Sequence, residues 1–281
     1  MASPPDRQQR PPGPLALNTA TTRGGWTLLQ AIDGCARHGV TGISPWRDQL
    51  AECGTAAAAK AIRANNLTVT SLCRGGFFTG ADAAARAAAL DDNRRAVDEA
   101  LAIGAKCLVL VVGGLAPGSK DLASARAQVA DGIAALLDYA RPANMPLAIE
   151  PLHPMYAADR ACVNTLAQAN DLCDALGPGL GVAVDVYHVW WDPALAPEVA
   201  RAGRRILGFH ISDWLVPTTD LLLDRGMMGD GVIDIRAIRF LVDATGYSGF
   251  CDVEILSANN WWKRDPDEVL KICIERHRKV V

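Results

Sequence analysis

Leu147-Ala148-Ile149-Glu150, Gly181-Val182-Ala183-Val184-Asp185, Leu207-Gly208-Phe209-His210 and Asp252-Val253-Glu254 are four short strand-like runs, each stopped by a side chain that can bind a hard metal. They occur in order in one half of the chain, at intervals of roughly 25 to 45 residues, the length of a strand-helix-strand unit with variable loops. An apolar run ending in a carboxylate or imidazole has the form of a parallel strand delivering one ligand to the mouth of a barrel. The four side chains are therefore expected to converge.

The rest of the chain fits that frame. Further strand-like runs at 15–19, 40–44, 67–73 and 107–112 join those at 146–150, 180–185, 206–211 and 250–254, making the eight strands that close a barrel. Between them lie stretches of helical composition. The alanine-rich segments 54–64 and 81–103 have the residue of best helix propensity, and the second ends at Gly104, a usual helix stop. Segments 122–139, 165–176, 234–245 and 266–281 complete the alternation that marks a parallel α/β sheet. The fold predicted is α/β, a single (β/α)8 TIM barrel over residues 15–281, with residues 1–14, which carry five prolines, as a disordered tail. Asp213 to Asp230 is a longer insertion at the ligand end and a candidate lid.

Composition narrows the function. Of 281 residues, 50% are hydrophobic and 21% charged, so a large core is available. Net charge is −3 and the pI is near 6.0, which gives no reason to expect nucleic acid as a partner. No apolar stretch reaches the 18 or so residues that cross a bilayer. Eight cysteines without a CxxC pair read as buried free thiols in a cytoplasmic protein. No GxxxxGK[ST] or GxGxxG motif signals a nucleotide.

Ile149-Glu150-Pro151-Leu152, Asp185-Val186-Tyr187-His188, Phe209-His210-Ile211-Ser212-Asp213, Gly229-Asp230-Gly231 and Val253-Glu254 resemble the motifs of the xylose-isomerase-like superfamily of sugar isomerases and epimerases. That group includes ketose 3-epimerases, hydroxypyruvate isomerases, inosose isomerases and dehydratases, and, more distantly, endonuclease IV. The resemblance covers about residues 15–281. It implies that Glu150, Asp185, His210 and Glu254 ligate one divalent ion, that His188 and Arg225 contact substrate oxygens, and that the protein is a homo-oligomer, a dimer or tetramer. Three carboxylates and one imidazole suit Mn²⁺ best, with Mg²⁺ or Co²⁺ as alternatives.

The function expected is isomerisation or epimerisation of a small keto-sugar or cyclic polyol ketone through an enediolate. Glu150 and Glu254, on opposite sides of the ion, would exchange the proton. The alternative is β-elimination from a 3-keto-glycoside or inosose, for which His153, three residues beyond Glu150, is the candidate leaving-group acid. Typical ketose 3-epimerases carry a further acidic residue in this stretch, where this chain has Met155-Tyr156-Ala157. A non-catalytic barrel subunit is a minor alternative, and a DNA-repair nuclease is disfavoured by having only five histidines. Trp46 and Trp214, just beyond strand ends, are candidate walls for a sugar's C–H faces. Trp190, Trp191, Trp261 and Trp262 also lie beyond strand ends. Asp213 is a candidate partner for His210, and His38 and His277 are expected on the surface near helix ends.

Overall fold

The computed structural model describes residues 11–281. Nine parallel strands are hydrogen-bonded side by side: β1 Leu15–Asn18, β2 Gly42–Ser44, β3 Thr68–Val69, β4 Leu72–Gly76, β5 Leu108–Val111, β6 Leu147–Ile149, β7 Leu180–Asp185, β8 Ile206–Ile211 and, after two short strands described below, β11 Cys251–Val253. Their order is β3-β2-β1-β11-β8-β7-β6-β5-β4, so the two ends of the sheet, β3 and β4, are consecutive in the chain. Only Thr70 and Ser71 separate them. Cys73 N–H donates to Pro45 C=O and Leu72 N–H to Cys107 C=O, which carries pairing across the interruption. The ring is thus eight-staved, a TIM barrel, and all eight expected strands are present.

Side chains alternate across a strand, and that period explains both faces. Cys73, Cys107, Val109, Ala148 and Ala183 form one small cluster, the barrel interior. Two residues further along the same faces come Glu150 after Ala148 and Asp185 after Ala183. Small residues below leave room, and the polar residue above closes the layer. The intervening Ile149, Val182, Val184, Phe209, Ile211 and Val253 point outward into the large core beneath the helices. Parallel strands buried on both faces read as near-continuous apolar runs.

The outer ring contains α1 Leu28–His38, α2 Arg47–Cys53, α3 Thr55–Ala64, α4 Ala83–Ile103, α5 Leu122–Ala140, α6 Leu166–Leu176, α7 Val186–Val189, α8 Leu195–Ala202, α9 Ile235–Ala244 and α10 Pro266–Val280. Thr27 with Gln30 and Thr165 with Gln168 form capping boxes for α1 and α6. Asp82, Asp121, Asp234 and Asp265 cap α4, α5, α9 and α10. The first ten residues of the expected tail lie outside the described residues. Its last residue, Pro14, belongs to the barrel base, where its C=O accepts from Cys251 N–H at 2.8 Å.

All eight cysteines are free thiols, seven of them buried. Among the described residues no helix is long and apolar enough to cross a membrane. His277 departs from expectation: it is buried, 7% exposed, because α10 turns this face onto the barrel base near Gly13. His38 is partly buried and its Nε2 lies 2.6 Å from Asp267.

Candidate functional site

Asp185 is the last residue of β7 and pairs in register with His210 of β8. Glu150 and Glu254 follow the last residues of β6 and β11, held by Glu150 N–H to Leu110 C=O and Glu254 N–H to Ile211 C=O. One donor atom from each of these four side chains lies within 4.8 Å of all the others, and all four residues are buried. The four runs that end in a ligand type therefore do converge at the C-terminal mouth.

Three carboxylates in so small a volume require positive charge. Arg225 supplies one part: its Nη1 lies 2.8 Å from Asp185 Oδ2 and 3.2 Å from Glu254 Oε2. It arrives on a short antiparallel ribbon of β9 Asp213–Trp214 and β10 Arg225–Gly226, formed by the long insertion. The insertion folds back over the mouth, where the Tyr187 hydroxyl donates to Leu221 C=O at 2.9 Å and the Tyr156 hydroxyl bonds the same carbonyl. Asp213 does not serve His210. Its carboxylate accepts the N–H groups of Trp214, Gly229, Gly231 and Ile233 at 2.9–3.0 Å, knotting the two ends of the insertion together.

The other side of His210 faces Asp252, whose Oδ2 is 4.0 Å from Nε2 and whose Oδ1 accepts from the Thr70 hydroxyl at 2.8 Å. Burial pushes Asp252 up to about 6. Asn18, at the end of β1, donates Nδ2–H to Glu254 Oε1 at 2.9 Å and accepts from Trp46 Nε1–H at 2.7 Å. Burial would raise Glu254, but Arg225 and then His210 outweigh it and hold the carboxyl near 2. Glu150 goes the other way, raised chiefly by burial.

His188 is buried beside Arg225, with Nε2 3.0 Å from Arg225 Nη2, and the His153 N–H donates to its Nδ1 at 3.2 Å. Burial pushes it down to about 3, so the ring is neutral. A neutral imidazole has one acceptor nitrogen and takes one of these two donors at a time.

A cleft opens over the cluster, lined by Glu150, Glu254, Arg225, His188, Trp46, Tyr156 and, among others, Cys73, Arg74 and Arg160. Of the expected substrate contacts, His188, Arg225 and Trp46 line it. Trp214 and His153 do not: their rings stack on each other at 4.8 Å, with Trp191 edge-on to His153 and Tyr187 against Trp214. His153 Nδ1 is moreover engaged, accepting from Met155 N–H at 3.3 Å. Sequence reading passed over Asn18, Asp252, Tyr156 and Arg160. Asn18 was findable, since Leu15-Ala16-Leu17-Asn18 repeats the apolar run stopped by a polar side chain. Arg160 gives no such signal.

The donor set fits a divalent ion. Glu150 Oε1 and His210 Nδ1 lie 2.8 Å apart, yet neither makes a directional hydrogen bond, nor does His210 Nε2. Buried polar atoms are rarely left so, and an ion shared among these side chains would satisfy them. Hard oxygens with one imidazole are a donor set that a divalent ion accepts.

Residues 32–273 match the family model described as xylose isomerase-like TIM barrel. The chain belongs to this family. A protein of Sinorhizobium meliloti 1021 of known crystal structure is 60% identical, with 95% of this chain and 98% of that one covered and a TM-score of 0.94. The IolI protein, in a structure with a bound zinc atom, is 21% identical at a TM-score of 0.82, over 95% and 98% of the two chains. D-allulose 3-epimerase from Methylomonas sp. in complex with D-allulose is 21% identical at 0.76, over 97% and 98%. At that identity the last two share the fold. No curated protein matches the chain.

Proposed function

We propose that the protein is a divalent-metal-dependent enzyme of the sugar isomerase and epimerase kind, moving a proton at the carbon beside a ketone. The observation that carries this reading is the convergence of Glu150, Asp185, His210 and Glu254 within 4.8 Å at the floor of a cleft in the barrel mouth. Those four residues would hold the ion, with Mn²⁺ as the best match to the donors. IolI, a member of the same fold, has zinc bound. When bound, the ion would polarise the substrate carbonyl and so acidify the neighbouring C–H.

The chain's own groups divide the remaining work unequally. Glu254 has both oxygens committed, Oε1 to Asn18 and Oε2 to Arg225, which fixes its orientation and keeps it charged. Glu150 has an oxygen with no hydrogen-bond partner and a carboxyl whose proton affinity is raised. A general base works best when its pKa lies near the working pH, so Glu150 is the better base and Glu254 the group that fixes the substrate's orientation. Neutral His188 and the Arg225 guanidinium face the cavity as donors to substrate oxygens. The elimination alternative has no observation in its favour, because the ring of His153 stands outside the cavity.

Solvent-deuterium exchange into a panel of ketoses and inososes tests the reading, since proton loss precedes every outcome. The metal-loaded protein should exchange one carbon-bound hydrogen, and Glu150→Gln should slow this by about 10²–10⁴-fold, the usual worth of a positioned base. Exchange that is indifferent to Glu150→Gln and to chelation would overturn it.

A further inference from the structure

Two guanidinium groups that take no part in the cluster reach the same cavity. Arg74 comes from β4 and Arg160 from the turn that follows Glu150, and both line the cavity with Glu150, Glu254 and Arg225. Arg225 is neutralised by Asp185 and Glu254, and the nearby Arg47 by Asp92 and Glu99. Among the described residues neither Arg74 nor Arg160 has a carboxylate within ion-pair distance or a side-chain hydrogen bond.

They are carried instead on aromatic rings. Arg74 lies over Phe77 at 4.2 Å and near Trp46 at 6.0 Å, and Arg160 lies over Tyr156 at 5.9 Å. A guanidinium supported through its flat face keeps its N–H edge for a second partner, and that edge matches carboxylate and phosphate oxygens two at a time. Burial, and after it the proximity of Arg160, lowers the pKa of Arg74, as for two like charges that share a space without an intervening anion.

Charge accounting points the same way. The carboxylates of Glu150, Asp185 and Glu254 are balanced by one divalent ion together with Arg225. Arg74 and Arg160 then remain as two positive charges without a partner carboxylate in the cleft. A neutral sugar would leave them so.

We propose that the substrate carries an anionic group, a carboxylate or a phosphate monoester, bound between Arg74 and Arg160 while its ketone faces the Glu150–Glu254 cluster. This rests on the enzymatic reading above and names the substrate class of the same cavity. It also assigns the specificity-determining residues: the two arginines select the anion, and the ligand cluster acts on the other end of the molecule.

Calorimetric binding of three matched probes, D-fructose, D-fructose 6-phosphate and 5-keto-D-gluconate, tests this in the Mn²⁺-treated and the chelator-treated full-length protein. At least one anionic probe should bind more tightly than fructose, by roughly tenfold or more for each charge-assisted contact. Arg74→Gln and Arg160→Gln should each remove about one such factor, and Arg74→Lys should restore part of it, since charge returns without the fork. Which anion wins separates phosphate from carboxylate. Equal affinity for all three probes in the wild type, or a preference that survives the double glutamine variant, overturns the proposal. A wild type that takes up no Mn²⁺ but keeps an arginine-dependent preference refutes the metal reading and leaves this inference standing.

Discussion

His210 is pulled in two directions. Burial works to strip its proton, but Glu150 and Glu254 outweigh burial and raise its pKa well above the usual value. Ligation through a ring nitrogen needs the neutral form, so ion uptake near neutral pH must release a proton. The sign follows: below the pKa of His210, affinity for Mn²⁺ rises with pH, by about tenfold per unit for one coupled proton. Calorimetry in buffers of different ionisation enthalpy reads that proton directly. Ion uptake near neutral pH that releases no proton would show that His210 does not give one up on binding.

The insertion between β8 and α9 behaves as one element because Asp213 ties its start to its end. Its carboxylate receives the N–H groups of Gly229, Gly231 and Ile233, and Gly231 passes so close to Trp214 C=O that a Cβ there would meet it at 2.1 Å. Asp213→Ala leaves these N–H groups without their acceptor, at a cost of about 1–3 kcal/mol for each one that stays buried. Hydrogen exchange should accelerate across residues 213–233 while β1 to β8 remain protected. Unchanged exchange in that loop would refute the role.

At this scale the sequence was uneven in what it disclosed. The eight strands and the long helices were legible because apolar runs and alanine-rich stretches are local signals. Three helices, α2, α7 and α8, passed unnoticed for physical reasons, α7 because it is a single turn of four residues. Helix α1 was foreseen only at its end, through His38, because it contains Gly34, poor for helices but required where the Trp26 ring approaches within 2.3 Å of a would-be Cβ. Helix α2 has only seven residues, and α8 holds Pro197 in its first turn, where the missing N–H has no intrahelical partner to lose. The convergence of Glu150, Asp185, His210 and Glu254 was legible because each stands at the end of a strand, whereas Arg160, Tyr156 and the Asp213 knot depend on how loops pack, which no local pattern carries.

For the whole molecule, closure of the barrel explains His277. An imidazole in the last turn of a C-terminal helix reads as a surface group, yet this turn is pressed against the base where the chain enters β1. Burial pushes His277 down to about 4. A histidine lowered from about 6.5 is neutral in the folded protein while the unfolded chain takes up a proton, so stability rises with pH between about 4 and 6.5 and is fully present above that range. Unfolding free energy should therefore fall by up to about 3 kcal/mol on acidification through that window, and His277→Gln should flatten this dependence. An equally steep acid loss in His277→Gln would assign it to other groups.

The central claim is that Glu150, Asp185, His210 and Glu254 form one ion site at the mouth of the barrel. Titration of chelator-stripped protein with Mn²⁺ measures it most directly, alongside Glu150→Gln, Asp185→Asn, His210→Ala and Glu254→Gln variants whose folding is checked by circular dichroism. One ion should bind per wild-type chain, with affinity lowered about 10-fold or more in each folded variant, since ligand loss should weaken binding at least as much as loss of a supporting group. Stoichiometric binding that survives in any two of the four, or no binding by the folded wild type, would contradict it.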